Sequence, residues 1–172
     1  MSRYIFHFVL AIWALMSVAV AEPVRRTVTV TPTVDTSIYA SGDQIGTLFT
    51  ITGALKLFQS GLLESVTVVD KSKQKSAINI ILFNQSTAVA SADNAALDIT
   101  DALMATNSLG YVPVAAADYK DLNANSIATV RGLNLSVSST GDNLYGIILS
   151  GGTPTYTSAS ELVITFGFLV GQ

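Results

Sequence analysis

The chain has 172 residues, of which 49% are hydrophobic and 12% charged, and its formal net charge is −3. This composition excludes intrinsic disorder, and the small negative charge argues against a nucleic-acid binder, which needs a basic face. There is no cysteine, so disulfide bridges and thiolate zinc sites are excluded. We therefore expect a chain that is held together by the burial of apolar side chains.

The first 21 residues differ in character from the rest. Arg3 precedes an apolar run that ends in the small residues Ala19 and Ala21, and Glu22 follows. This is the pattern of a secretory signal peptide with cleavage before Glu22. An uncleaved membrane anchor and a translation start placed too far upstream are the alternatives. We accordingly divide the chain into a leader, residues 1–21, and a single β-sandwich domain, residues 22–172.

The leader also contains the only histidine, His7, and the only tryptophan, Trp13. Because the rest of the chain has neither imidazole nor thiol, it cannot assemble a Ser-His-Asp or Cys-His catalytic arrangement. Carboxylate pairs, such as those of glycoside hydrolases, are the acid–base chemistry that survives this exclusion. We expect no enzymatic activity, no cofactor, and no catalytic, cofactor-binding or metal-binding residues.

Strand patterns dominate the domain in chain order. We predict strands at residues 26–34, 45–52, 65–70, 77–83, 109–114, 126–138, 144–150 and 161–170. Thr and Val alternate in the first strand until Pro32, which indicates an edge or a bend, and Pro113 suits the fifth strand to an edge. Gly132 in the sixth strand suggests a β-bulge.

The third and fourth strands flank a short lysine-bearing segment, residues 71–76. Two apolar runs around a polar tip predict an antiparallel hairpin, which we place at the centre of a sheet. Both faces of this hairpin are mostly apolar, so a second layer has to cover them.

The best helix signal lies in residues 93–105, where Asp98 or Thr100 can cap the start and Leu103 and Met104 would face inward. About eight strands with so little helix leave no room for parallel crossovers. The prediction is an all-β fold: an antiparallel, jelly-roll-like β-sandwich of about eight strands with one short helix.

Three groups of polar residues invite functional interpretations. Lys71, Lys73 and Lys75 could bind phosphate or an acidic partner, or they could simply solvate the hairpin tip. The other two groups are acidic and aromatic. They are the aspartates Asp93, Asp98, Asp101, Asp118 and Asp121 and the tyrosines Tyr111, Tyr119, Tyr145 and Tyr156.

The first three aspartates could gather around calcium, and the last two could form a catalytic carboxylate pair. Aspartate is equally a turn and cap residue, which is the competing interpretation of all five. The tyrosines could form a sugar-stacking platform, or they could be partly buried rings at strand ends.

Four segments, residues 27–46, 68–75, 93–99 and 151–156, resemble in the same order a family of small β-rich proteins of tailed bacteriophages and prophages. Members of that family are virion structural components of the capsid decoration or head-fibre type. The family carries no catalytic residues that could be transferred to this chain. Its members usually begin close to the first strand, and phage heads assemble in the host cytoplasm, so a secretory leader departs from this pattern.

The resemblance implies a non-enzymatic virion structural protein that acts by self-association and by docking on a capsid lattice. The implied partners are other copies of the chain, with a trimer as one option, and the major capsid protein or other virion proteins. We expect no nucleic-acid partner and no stable membrane association after removal of the leader, and the implied location is the virion. The alternative, if the leader is genuine, is a secreted or periplasmic module that binds carbohydrate or a surface.

Overall fold

The computed structural model describes residues 22–55 and 60–171, which form nine strands, one short α-helix and one 3-10 turn. The strands are β1 (Val24–Val30), β2 (Gln44–Ile51), β3 (Ser60–Asp70), β4 (Ile78–Phe83), β5 (Ser108–Val114), β6 (Lys120–Asp121), β7 (Ser126–Ser138), β8 (Leu144–Ser150) and β9 (Leu162–Val170). The helix α1 spans Asp101–Asn107, and the 3-10 turn spans Ala116–Asp118. The predicted leader lies outside the described residues.

Two antiparallel sheets contain these strands. The five-stranded sheet has the order β1-β9-β3-β7-β6, and the four-stranded sheet has the order β2-β8-β4-β5. Most connections pass from one sheet to the other, and with β6 set aside as an extra edge strand this order is that of an eight-stranded jelly roll. The predicted fold is therefore confirmed, as are the edge position of β1 and of the proline-bearing β5.

The predicted hairpin is wrong, because β3 and β4 belong to different sheets. The carboxylate of Asp70, at the end of β3, is 1% exposed and accepts the backbone N–H groups of Ser72 at 3.0 Å and Lys75 at 2.7 Å. Lys73 and Lys75 have φ angles of 56° and 50°, in the left-handed region. The buried acid and these two residues redirect the chain across the sandwich. As predicted, however, β3 lies in the middle of its sheet.

The core lies between the sheets and includes aromatic side chains from both of them. The ring centroids of Phe49 and Phe166 are 6.2 Å apart, and those of Phe166 and Phe168 are 6.3 Å apart. Gly146 makes room for this packing, since a Cβ atom there would lie 2.6 Å from Cζ of Phe49. The alternation of inward apolar residues along β9 produces this layer.

The outer face of the four-stranded sheet carries a second, smaller cluster of buried side chains: Ile81, Phe83 and Ile147. The excursion between β4 and β5 covers it with Val89, Leu97, Ile99 and Met104. The helix α1 belongs to this excursion and begins after Thr100, whose Oγ1 accepts the N–H of Leu103 at 3.4 Å. The prediction of a short helix is confirmed, and of the two predicted caps, Asp98 and Thr100, it is Thr100 that caps its start.

The register of β7 against β3 shifts between Leu63 and Ser65, where residues 132–134 of β7 bulge out. Gly132 and Asn134 have φ angles of 69° and 48° there, which confirms the predicted bulge. Within residues 22–55 and 60–171, none of the helical segments has the length and apolar character required to cross a bilayer.

Candidate functional site

The outer face of the five-stranded sheet is the broad surface that the described residues leave uncovered. At its centre, Thr29, Thr165, Thr67 and Thr129 lie side by side on four adjacent strands. The hydroxyl oxygens of Thr29 and Thr165 are 3.0 Å apart, and those of Thr67 and Thr129 are 3.2 Å apart. We call these four residues the threonine row. The row thus presents short side chains to solvent, and their hydroxyls bond to one another in pairs.

A shallow cavity of about 410 Å³ lies beside this row. Arg25, Glu64, Ser65 and Arg131 line it together with members of the row. Arg25 and Glu64 form an ion pair at 2.8 Å, and Arg131 is exposed and has no partner among the described residues. The side chain of Arg25 is 80% exposed, so this pair contributes little to stability. Among the described residues, the face as a whole combines hydroxyl groups with the unpaired guanidinium of Arg131.

The edges of the five-stranded sheet are poorly suited to pairing with another strand. Pro23 and Pro32 flank β1, and prolines limit ladder formation because they lack an N–H group. On the other side β6 covers only the start of β7, and the bulge at Gly132 and Asn134 twists the remainder.

The edges of the four-stranded sheet carry comparable features. β2 has a register irregularity between Ile45 and Phe49, and Gly46 there has a φ of 74°. Pro113 lies in β5, the opposite edge. Since each open edge has a proline or a bulge, association through a sheet face is favoured over strand addition.

The three lysines of the predicted tip do not form a common cationic patch with free side chains. Lys71 Nζ donates to the carbonyl oxygen of Ser160 at 2.8 Å, and Lys75 Nζ pairs with Asp121 Oδ2 at 3.0 Å. Lys73 is half-buried on the same link between the sheets. Two of these side chains therefore attach the link to the loop before β9 and to β6 rather than to a ligand.

The aspartates that could have bound calcium are separated in the structure. Asp93 Oδ1 accepts the hydroxyl of Tyr39 at 2.7 Å and the N–H of Gly46 at 2.7 Å. Asp101 lies in the first turn of α1, where a negative charge is favourable. Among residues 22–55 and 60–171, three or more histidine or acidic side chains never come together in a way that could hold a metal ion.

Asp118 and Asp121 have different partners. Asp118 Oδ2 accepts the N–H of Ala115 at 2.8 Å and so caps the 3-10 turn. The hydrogen bond from Lys75 lowers the pKa of Asp121. Asp118 is thus a cap residue, as the structural interpretation of the sequence had it, whereas Asp121 forms a surface ion pair with Lys75.

The four tyrosines do not form one platform. Tyr119 and Tyr156 are 9% and 2% exposed, whereas Tyr111 is 63% exposed. Tyr145 is half-buried and packs against the smaller cluster on the outer face of the four-stranded sheet. Burial and then the charge of Asp70 raise the pKa of Tyr119 and of Tyr156. Tyr111 is therefore the most exposed ring of this set.

Two features of the structure were missed in the sequence. The first is Tyr39, which is 1% exposed, donates to Asp93 and accepts the N–H of Asp35 at 2.6 Å. Burial and the hydrogen bond to Asp93 raise the pKa of Tyr39. The second is the threonine row. Alternating Thr and Val in β1 signalled one of its members, but the row depends on the register of four strands, which no local pattern specifies.

No protein-family model matches the chain, and no curated protein matches it. Solved structures do match, and one of them is a chain of Desmodium yellow mottle tymovirus. That alignment covers 100% of this chain and 96% of the viral chain, with 11% sequence identity and a TM-score of 0.26. So low a TM-score leaves the superposition too loose to carry an argument about function.

Proposed function

We propose that this protein is a non-enzymatic virion structural protein of the capsid decoration or head-fibre type. It acts by associating with other copies of itself and by docking on a capsid lattice, and its location is the virion. The outer face of the five-stranded sheet, centred on the threonine row, is the docking surface. The single observation that carries this proposal concerns the described residues 22–55 and 60–171: the excursion between β4 and β5 covers part of the outer face of the four-stranded sheet, whereas none of these residues forms a comparable cover over the outer face of the five-stranded sheet.

The placement of the acidic side chains supports a non-enzymatic role. Asp70, Asp93 and Asp118 accept backbone N–H groups and hold loops in place. Glu161 accepts the hydroxyls of Thr157 at 3.0 Å and Ser158 at 2.7 Å. A catalytic pair needs carboxylates that converge on a substrate, whereas each of these four carboxylates accepts at least one hydrogen bond that holds a loop.

The character of the bare face supports docking. The side chains of the threonine row are short, so few rotamers are lost there when a partner covers them. The hydroxyl pairs are satisfied within the row, so desolvation leaves few orphaned polar groups. Half-buried apolar residues, Val69, Ile127 and Val163, extend the face beside the row.

Imaging of virus particles tests the proposal directly. Particles produced from the genome that encodes this chain are purified, treated with an antibody against the protein, and viewed by negative-stain microscopy. The proposal expects antibody on the particle surface. Particles that bind no antibody, from preparations in which the protein is expressed, overturn it.

A substitution in the threonine row tests the docking surface. Thr67→Arg places a guanidinium in the middle of the face, and burying it unpaired should weaken association about tenfold or more, which corresponds to about 1.4 kcal/mol. Thr155→Arg is the matched control, because Thr155 is an exposed threonine on the loop between β8 and β9. The measurement is the number of copies per particle. Equal occupancy for Thr67→Arg and Thr155→Arg would show that the face is not the docking surface.

A further inference from the structure

A second cavity, of about 420 Å³, lies on the outer face of the four-stranded sheet. Its floor consists of outward-facing residues of three strands: Asn79 and Ile81 from β4, Tyr111 from β5 and Leu149 from β8. Met104 of α1 forms part of the wall. The volume is within the range of about 300–1,000 Å³ that is typical of small-molecule sites. The excursion between β4 and β5 thus covers only part of this sheet face.

The polar groups of the cavity are few and uncharged. Asn79, Ser108 and Tyr111 contribute an amide and two hydroxyls, and none of these side chains makes a hydrogen bond within the described part of the chain. The lining includes no Asp, Glu, Lys or Arg. An amide that both donates and accepts, set in an apolar floor, is a specificity element of the kind found in ligand sites.

Tyr111 contributes an aromatic ring to the lining of the cavity. It is a large aromatic side chain in a β-strand, yet 63% of it is exposed, at the edge of an apolar depression. Together with Ile81, Met104 and Leu149 this ring forms a contiguous apolar surface, and such exposed surfaces in a depression mark binding sites. A flat ligand can lie against this ring and against Ile81 while its edge reaches Asn79.

We infer that this cavity binds a neutral pyranose unit at the end of a glycan. A pyranose has an apolar face of C–H bonds that stacks on an aromatic ring, and its rim of hydroxyls both donates and accepts hydrogen bonds. The cavity offers the complement of each: Tyr111 for the face, and the amide of Asn79 with the hydroxyl of Ser108 for the rim. An acidic sugar lacks a cation to pair with here, and a purely apolar ligand would leave the Asn79 amide desolvated without a partner.

The site is separate from the threonine row, because the two lie on the outer faces of different sheets. The inference consequently does not rest on the proposed virion role, and either can fail without the other. The sequence suggested a glycan site formed by four tyrosines, whereas this inference places the site in the cavity beside Tyr111 alone.

The test begins with the protein on an array of neutral and acidic glycans. The methyl glycoside of the best-bound terminal sugar is then titrated into the protein in solution and followed by NMR. The inference expects binding of neutral glycans and a shift of the Asn79 side-chain amide signals during the titration. Binding of acidic glycans alone, or of none, overturns it.

Variants then locate the site. Tyr111→Ala should weaken binding about tenfold or more, whereas Tyr111→Phe, which keeps the ring, should stay within about threefold. Asn79→Ala should also weaken binding, and Thr129→Ala, on the far face, should leave it unchanged. Thermal unfolding of each variant establishes that it is folded. Wild-type affinity in a folded Tyr111→Ala or Asn79→Ala variant overturns the assignment of the site.

Discussion

Raising the pH above about 10, the pKa of an unperturbed tyrosine, should lower the free energy of unfolding steeply, because three buried phenols resist ionisation. Tyr39, Tyr119 and Tyr156 are 1%, 9% and 2% exposed. Burial is the main cause that raises the pKa of each, and the carboxylates of Asp93 and Asp70 act in the same direction. The unfolded chain loses these three protons near pH 10, whereas the native protein retains them.

The sign and size follow from proton linkage. Each phenol with a raised native pKa stabilises the fold fully below about pH 10, and this contribution is lost as the pH rises towards its native value. One retained proton changes the free energy of unfolding by about 1.4 kcal/mol per pH unit, so three give a fall of about 4 kcal/mol per unit. A domain with a typical stability of about 5–15 kcal/mol should then unfold within about one to four pH units above pH 10.

Urea denaturation at a series of pH values, followed by circular dichroism, measures this slope. Tyr156→Phe removes one of the three groups and should reduce the fall to about 2.7 kcal/mol per pH unit. At neutral pH the free energy of unfolding of this variant should differ from that of the wild type by only about 1 kcal/mol. A larger difference at high pH then reports on ionisation rather than on packing. A stability that stays flat to pH 12, or phenols that all ionise near pH 10 in the folded protein, would refute the reasoning.

Two further substitutions test the packing of the sandwich and the link between its sheets. Gly146→Ala should destabilise the protein by about 1–3 kcal/mol, since the new methyl group meets the ring of Phe49; a thermal midpoint equal to that of the wild type would contradict this. Asp70→Ala should lower the free energy of unfolding by about 3–5 kcal/mol, because the N–H groups of Ser72 and Lys75 lose a charged acceptor. Urea denaturation measures that loss, and a change below about 1 kcal/mol would show that the buried carboxylate does not hold the link.

Strand positions could be predicted from the sequence because each depends on local alternation. β7 and β8 coincide with the predicted bounds, and β9 begins one residue later than predicted. The strands that pair with β3 and β4 could not be predicted, because two apolar runs around a polar segment fit a hairpin and a crossover between sheets equally well. The difference depends on Asp70, which is buried and turns the chain, and burial of a single acid is not visible in a local pattern.

The candidate sites were even less predictable. Members of the threonine row come from four strands that are far apart in the sequence, so the row exists only once the registers are set. Tyr111 was among the predicted tyrosines, but its exposure results from its outward-facing position on the edge strand β5 rather than from any property of the residue itself. Chain topology, rather than composition, decides which of these side chains can meet a ligand.

The prolines and bulges at the open edges of the two sheets affect how copies of this chain associate at high concentration. At high local concentration, copies of a β-rich chain can pair through open sheet edges and so form fibres that grow without limit. Here that route is obstructed at β1, β2, β5 and β7, whereas broad surfaces remain open. Contacts through such surfaces have a fixed geometry, so growth can close on itself and stop at a finite number of subunits.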